Sequence, residues 1–200
     1  MRDRGRNPPV LCIYIGMRIE RIERRDDGRI GQMIGGFFFD GDTEKGTEYY
    51  REFRTVRDKS VKLVDDGEIV GIMLTADDGI ELFNGGKEPD VNTVLHKYSG
   101  IMASVLGLEP EYRGKGLSDK LVDAMLSLCS SYDYILVPVS KKLNTHTFWA
   151  RYGAVKVCDD GNNLHYILTK NKSLLSELGT SRLSEDNVRC IVKFVINNIL

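Results

Sequence analysis

Polar and apolar positions change period several times along the chain, and each change marks an element. In "MRIERIER", Met17 and Ile19 alternate with Arg18 and Glu20 as in a short half-buried strand. Asp26 and Asp27 then offer helix N-caps, with Ile30, Met33 and Ile34 at helical spacing behind them. A second helical pattern centres on Tyr49 to Phe53. In "VKLVDDGEIVGIMLTA", two apolar runs flank Asp66-Gly67, a pair suited to the positive backbone angles of a tight hairpin turn. Residues 77–98 are rich in Gly, Asp and Asn and read as an irregular excursion. "SGIMASVLGL" is apolar throughout, as expected of a strand buried on both faces. Leu117, Leu121, Val122, Met125 and Leu128 then recur at helical spacing as far as Cys129. "YILVPV", a short helix over Thr145 to Tyr152, and strands over Ala154 to Val157 and His165 to Thr169 complete the order. The spacing predicts a last helix capped by Ser184, with Val188, Ile191, Val192, Val195 and Ile199 on one face.

The order is strand, helix, helix, hairpin, strand, helix, strand, helix, strand, strand, which specifies an α/β domain. No repeat or long linker divides it. Residues 1–16 read as an N-terminal extension, 17–170 as one domain, and 171–200 as a helical extension whose apolar stripe suits either its own sheet or a second copy in a homodimer. A chain of 200 residues with 42% apolar content is long enough for one substantial core. Its 28 basic and 29 acidic residues announce no nucleic-acid partner. Seven arginines against three acidic residues lie within the first 25 positions, a run that reads as a solvated terminus before it reads as an RNA-binding arm. Cys12, Cys129, Cys158 and Cys190 lack the spacing of a metal site, and no metal is expected. No apolar run approaches the roughly 20 residues that span a bilayer, so a cytoplasmic protein without a membrane partner is expected.

The chemistry concentrates in "LEPEYRGKGLSDKLV". Gly114 and Gly116 let backbone approach a ligand, the first amides of the following helix lack partners within it, and Arg113 and Lys115 add positive charge. The turn is suited to a phosphate. A nucleotide P-loop requires glycine where Glu109 stands and Ser or Thr where Gly116 stands; the dinucleotide pattern requires glycine at Asp119. Both patterns fail.

The pattern [Q/R]-x-x-G-x-[G/A], which reads here Arg113, Gly114, Lys115, Gly116, Leu117, Ser118, resembles that of the GNAT superfamily of acetyl-CoA dependent N-acetyltransferases. Four further features match: Leu106 to Leu108 before the turn, Leu121 and Val122 in the helix after it, the hairpin "DDGEIVG", and "NTHTFWARYGAVKV" as the family's "N…FYEKLGF" segment. The resemblance covers residues 17–170. It implies a mixed, mostly antiparallel central sheet flanked by helices, with splayed central strands. It also implies acetyl-CoA as acetyl donor, with its pyrophosphate on the amides of residues 113–118 and its pantetheine paired with the edge at Leu106 and Leu108. Asn144 would cap a helix and touch the pantetheine, and an amide near Leu106 would polarise the thioester.

A primary amine, on a small molecule or a protein, would attack directly in a ternary complex. The sequence departs from the family at Ser118, where Gly or Ala is usual, and at Trp149, where a tyrosine often protonates the departing thiolate. Indole cannot serve as that acid. Tyr152 and His146, each three positions from Trp149, are the ionisable groups left for the role. The alternative is a GNAT-like module that binds an acyl-CoA or a protein without turnover. Cys129 and Cys158 would suggest an acyl-cysteine route, but no histidine pattern supports one, so structural burial is the expectation. Asp77, Asp78, Glu81, Glu88 and Asp90 read as a solvated loop that would attract a cationic amine if it overhung the acceptor.

Overall fold

The computed structural model of the chain describes residues 12–14, 16–52, 55–77, 89–143, 145–159 and 162–180. They fall in two compact units, one running to Thr75 and joined by Val105–Cys129, the other of Ala76–Ser104 and the chain from Ser130 onward.

In the first unit, β1 (Cys12–Tyr14), β2 (Met17–Arg21), β3 (Val61–Asp65) and β4 (Glu68–Ala76) form an antiparallel meander. The β3–β4 turn is built as its sequence requires, with φ +47° at Asp66 and +89° at Gly67. Val64 pairs with Ile69 but Leu63 with Gly71, so β4 carries one extra residue. That bulge turns Ile69 toward the same apolar cluster as Ile72 and Leu74, where Ile22, Ile30, Met33, Ile34 and Tyr50 also pack. The cluster is the seat of α1 (Asp27–Phe38) and α2 (Thr43–Glu52). These two helices approach closely because Gly46 has no side chain: a Cβ there would lie 2.2 Å from the Gly31 carbonyl oxygen. α4 (Leu117–Leu128) buries Leu117, Leu121, Val122 and Met125, the stripe expected from its period.

In the second unit, the first residues of β5 (Gly100–Leu108) run parallel to β6 (Tyr134–Ser140). Among the described residues this pairing covers Gly100–Met102 alone, although β6 continues to Ser140. β6 pairs along its whole length with β8 (Asn163–Thr169), and β8 with β7 (Val155–Asp159), both antiparallel. The Asp133 carboxylate accepts from the Ser99 amide (2.9 Å), the Ser99 hydroxyl (2.8 Å) and Asn171 Nδ2 (2.8 Å), tying the entries of β5 and β6 to the exit of β8. These bonds hold its pKa below the usual carboxylate value. The short helix α5 (His146–Ala150) sets Trp149 at 6% exposure against Phe148 and Tyr152.

The structure departs from the sequence expectation in several places. α3 (Pro89–Leu95) lies inside the supposed irregular excursion, and α6 (Lys172–Thr180) opens the segment read as a helical extension, ahead of the helix expected from Ser184. α2 starts at Thr43, well before Tyr49. Cys12–Tyr14 pairs with Met17–Ile19, so regular structure begins within the segment read as an extension. The N-cap of α5 is Thr145, not Asn144. The expected helix from Ser184 to Ile199 lies outside the described residues. No helix of the described residues is long and apolar enough to cross a membrane.

Candidate functional site

The turn between β5 and α4 is built by residues that are far apart in sequence. β5 ends at Leu108, whose side chain is buried. The Glu109 amide then donates to the Val70 carbonyl (2.9 Å), using the oxygen of the bulge residue in β4. Arg29 Nη2 on α1 meets Glu109 Oε1 at 2.6 Å and also donates to the Ile69 carbonyl (3.2 Å), clamping α1, the bulge and the end of β5 at one point. A 3-10 turn follows over Pro110–Tyr112, in which proline fits because its missing N–H has no helical partner to lose. Tyr112 donates to Asp65 Oδ2 (2.9 Å), a bond to a carboxylate that raises the tyrosine above its ordinary pKa.

Beyond these anchors the chain is open. Gly114 has φ +73° and Gly116 +71°, both in the left-handed region that glycine enters without penalty. A Cβ at either position would meet nothing within 4 Å. Gly116 is the N-cap of α4 and uses no side chain to cap it, so the first amides of a twelve-residue helix face an exposed turn. Leu117 is buried and holds the helix start in place, while Ser118 is half-buried. Arg113 Nε donates to the Leu108 carbonyl (3.0 Å), which holds the arginine beside the turn with the rest of its guanidinium exposed. The Lys115 ammonium lies 5.4 Å from the centre of the Tyr112 ring, a cation–π contact that keeps it close. Backbone donors, a helix dipole and two cations therefore lie along one exposed strip, an arrangement suited to phosphate oxygens.

The structure brings Leu106, Leu108, Arg113, Gly114, Lys115, Gly116, Leu117 and Ser118 onto one strand–turn–helix unit, as the sequence expects. Leu106 is half-buried on β5, and the neighbouring Gly107 is glycine for a visible reason. A Cβ there would lie 2.1 Å from the Phe37 ring, which stacks directly on the strand. Tyr152 lies in the second unit, half-buried, with its ring 5.5 Å from Phe148 and 6.2 Å from Trp149. His146 opens α5, but its side chain, like Asn144, lies outside the described residues. Of the acidic positions, Asp77 is exposed and Asp78, Glu81 and Glu88 lie outside the described residues. Cys129 and Cys158 are free and buried. Burial pushes the Cys129 thiol up to about 11, despite the opposing charge of Lys59. At neutral pH roughly one thiol in ten thousand is ionised, which removes it as a nucleophile. Sequence reasoning missed Arg29, Asp65 and Phe37: Arg29 meets partners 40 and 80 positions away, Asp65 one 47 away and Phe37 one 70 away, and no local pattern announces them.

Neither a protein-family model nor a curated protein matches the chain by sequence. Solved structures do match by fold. Ard1 from Thermoplasma volcanium aligns with a TM-score of 0.57 at 14% identity, over 79% of this chain and all of its own. PaiA N-acetyltransferase from Thermoplasma acidophilum, solved with coenzyme A, gives 0.53 at 12% identity over 78% of this chain and 99% of its own. Arabidopsis thaliana Naa50, solved with the bisubstrate analogue CoA-Ac-MVNAL, gives 0.52 at 13% identity over 76% and 97%.

Proposed function

The chain has the GNAT fold, and from it and the geometry of the glycine turn we propose an N-acetyltransferase that transfers the acetyl group of acetyl-CoA to a primary amine. One observation carries the reading. Two left-handed glycines, Gly114 and Gly116, flank Lys115 at the N-terminus of α4, both open to solvent, and present its amides beside Arg113 and Lys115.

In this reading the amides of residues 114–118 hold the pyrophosphate, and Arg113 and Lys115 supply formal charge. Leu106 and Leu108 offer backbone groups to the pantetheine in the manner of strand addition, on a strand whose pairing with β6 ends early. Asn144 adds a side-chain contact to the same arm. The donor supplies a thioester; the amine forms the new N–C bond as the C–S bond breaks, and the sulfur leaves as thiolate. An amide near Leu106 stabilises the charge that develops on the carbonyl oxygen. The acceptor must first lose a proton, since a free alkylamine has a pKa of about 10.4. Tyr152 or His146 protonates the departing sulfur, because the indole of Trp149 cannot. The high pKa of Cys129 supports direct transfer over a cysteine-bound intermediate. Neighbours solved with an acceptor-derived ligand, Naa50 with CoA-Ac-MVNAL and EctA from Paenibacillus lautus with L-2,4-diaminobutyric acid and coenzyme A, support an amine as acceptor class.

A second reading, binding without turnover, is favoured by Trp149 itself, which is buried against Phe148 where the family often has its acid. The two separate in one assay: acetyl-CoA binding by calorimetry, followed by CoA release on adding a panel of primary amines. Saturable binding with amine-dependent release supports the enzyme, and binding with no release from any amine supports the module. Absence of acetyl-CoA binding refutes the enzyme and leaves the module only in its protein-binding form.

A further inference from the structure

A cleft of about 530 Å³ opens on the first unit, lined by β2, β3, the β3–β4 turn and the residues leading into α1. It shares no residue with the turn that precedes α4. At its floor, Lys62 is 3% exposed and donates to Asp26 Oδ2 at 2.7 Å. Glu20, paired across the strands with Lys62 and 8% exposed, is less well served. Its nearest cations are Lys62 Nζ at 3.7 Å and Arg18 Nε at 3.4 Å, and among the described residues its carboxylate accepts no hydrogen bond. Its oxygens line the cleft, so water or a ligand there can use the acceptor capacity the protein leaves open.

The cations of the cleft divide in the same way. Arg29 spends four of its five N–H donors on Glu109, the Ile69 carbonyl and Gln32. Arg18 and Arg25 turn Nε to a carboxylate, that of Glu20 and that of Glu23 respectively, and among the described residues their terminal nitrogens make no hydrogen bond, so these exposed side chains keep donors at the rim. The open capacity is therefore an acceptor that faces the cleft beside exposed donors. A purely anionic ligand would offer no donor to the cleft-facing oxygens of Glu20, which have ion pairs but no hydrogen bond from the protein, and a purely cationic one would face Arg18 and Arg25. Opposite charges 3.4 Å apart on the protein complement opposite charges carried on a single carbon of a ligand. Among the described residues no group of three metal-ligating side chains is present, so a cation held by carboxylates alone does not fit. The volume is that of a small-molecule site.

We propose that this cleft binds a free α-amino acid, its ammonium on Glu20 and its carboxylate on the terminal nitrogens of Arg18 and Arg25. The site is separate from the acetyl-CoA turn and does not depend on the acetyltransferase reading. Val64 and Ile69 give the cleft an apolar wall for the ligand's side chain.

The test uses the full-length protein and the twenty L-amino acids as probes, screened by thermal shift and followed by calorimetry, with methylammonium and acetate as the two half-ligands. At least one amino acid should bind with 1:1 stoichiometry, and neither half-ligand should bind comparably. Glu20→Gln and, separately, the rim variant Arg18→Ala/Arg25→Ala should each weaken it about tenfold or more, as loss of a charge-assisted hydrogen bond implies. The rim variant changes exposed side chains, so it decides the matter even if Glu20→Gln fails to fold. No binding by any amino acid, binding unchanged in the rim variant, or equal binding of methylammonium would each overturn the proposal.

Discussion

Replacing Gly116 with valine separates the turn's conformation from its ligand. At φ +71° a β-branched residue is a genuine outlier, and the left-handed conformation costs it about 1–2 kcal/mol. Nothing lies within 4 Å of the added Cβ, so no packing term adds to that strain. For a chain of this size the melting temperature should fall by roughly 2–8 °C, and the fold should persist. Binding should suffer far more. The new side chain projects from the exposed face of the turn, and the amides it displaces are charge-assisted donors worth about 1.5–3 kcal/mol each. Loss of one weakens CoA by about 10- to 150-fold. Gly41→Val is the matched control, since Gly41 also has a positive φ (+89°) with open space around it but lies in the α1–α2 connection. Calorimetric titration of CoA into both variants gives the answer. CoA affinity within twofold of the native protein in folded Gly116→Val would sink the pyrophosphate assignment, and an equal loss in Gly41→Val would reduce it to general destabilisation.

Other expectations follow from buried groups. Burial raises the Cys129 thiol to about 11, so the native state favours the protonated form; that stability is complete below pH 9 and is lost as pH rises through 11, about 2–3 kcal/mol in all. Urea unfolding across that window should show a smaller decline in Cys129→Ala, and an identical decline would refute the assignment. The Tyr134 hydroxyl is buried and has no hydrogen-bond partner among the described residues. Tyr134→Phe should therefore stabilise the protein by about 1 kcal/mol in the same assay, and a loss of stability would show that a partner exists. Lys62→Ala leaves Asp26 buried and uncompensated and should cost about 3–5 kcal/mol by denaturant titration; a cost below 1 kcal/mol would mean water reaches the pair. Tyr152→Phe should lower kcat with little change in KM if this phenol is the acid, whereas equal kcat leaves His146 as the proton donor.

What the sequence determined by itself is what local chemistry decides. Asp66-Gly67 dictates a hairpin turn because few residues accept its backbone angles, and the stripe of Leu117, Leu121, Val122 and Met125 dictates α4 because its period matches one helical face. "RGKG" likewise announced uncapped amides at the start of α4, since glycine at a helix start has no side chain to cap them. Short helices were not legible in this way. Pro89–Leu95 and Lys172–Thr180 are too short to be stable alone and form where packing and ties such as Lys97 to Glu177 support them. Nor was the setting of the turn legible. The Arg29–Glu109 clamp spans 80 positions, the Tyr112–Asp65 bond 47, and the Lys62–Asp26 pair 36. Which groups meet at such distances depends on strand register and on the single extra residue in β4, and register is settled by the whole sheet. The tertiary structure therefore decided where the charges of the N-terminal half came to rest: Arg29 as a brace for the glycine turn, and Arg18, Glu20 and Arg25 around a cleft that no local pattern foretold.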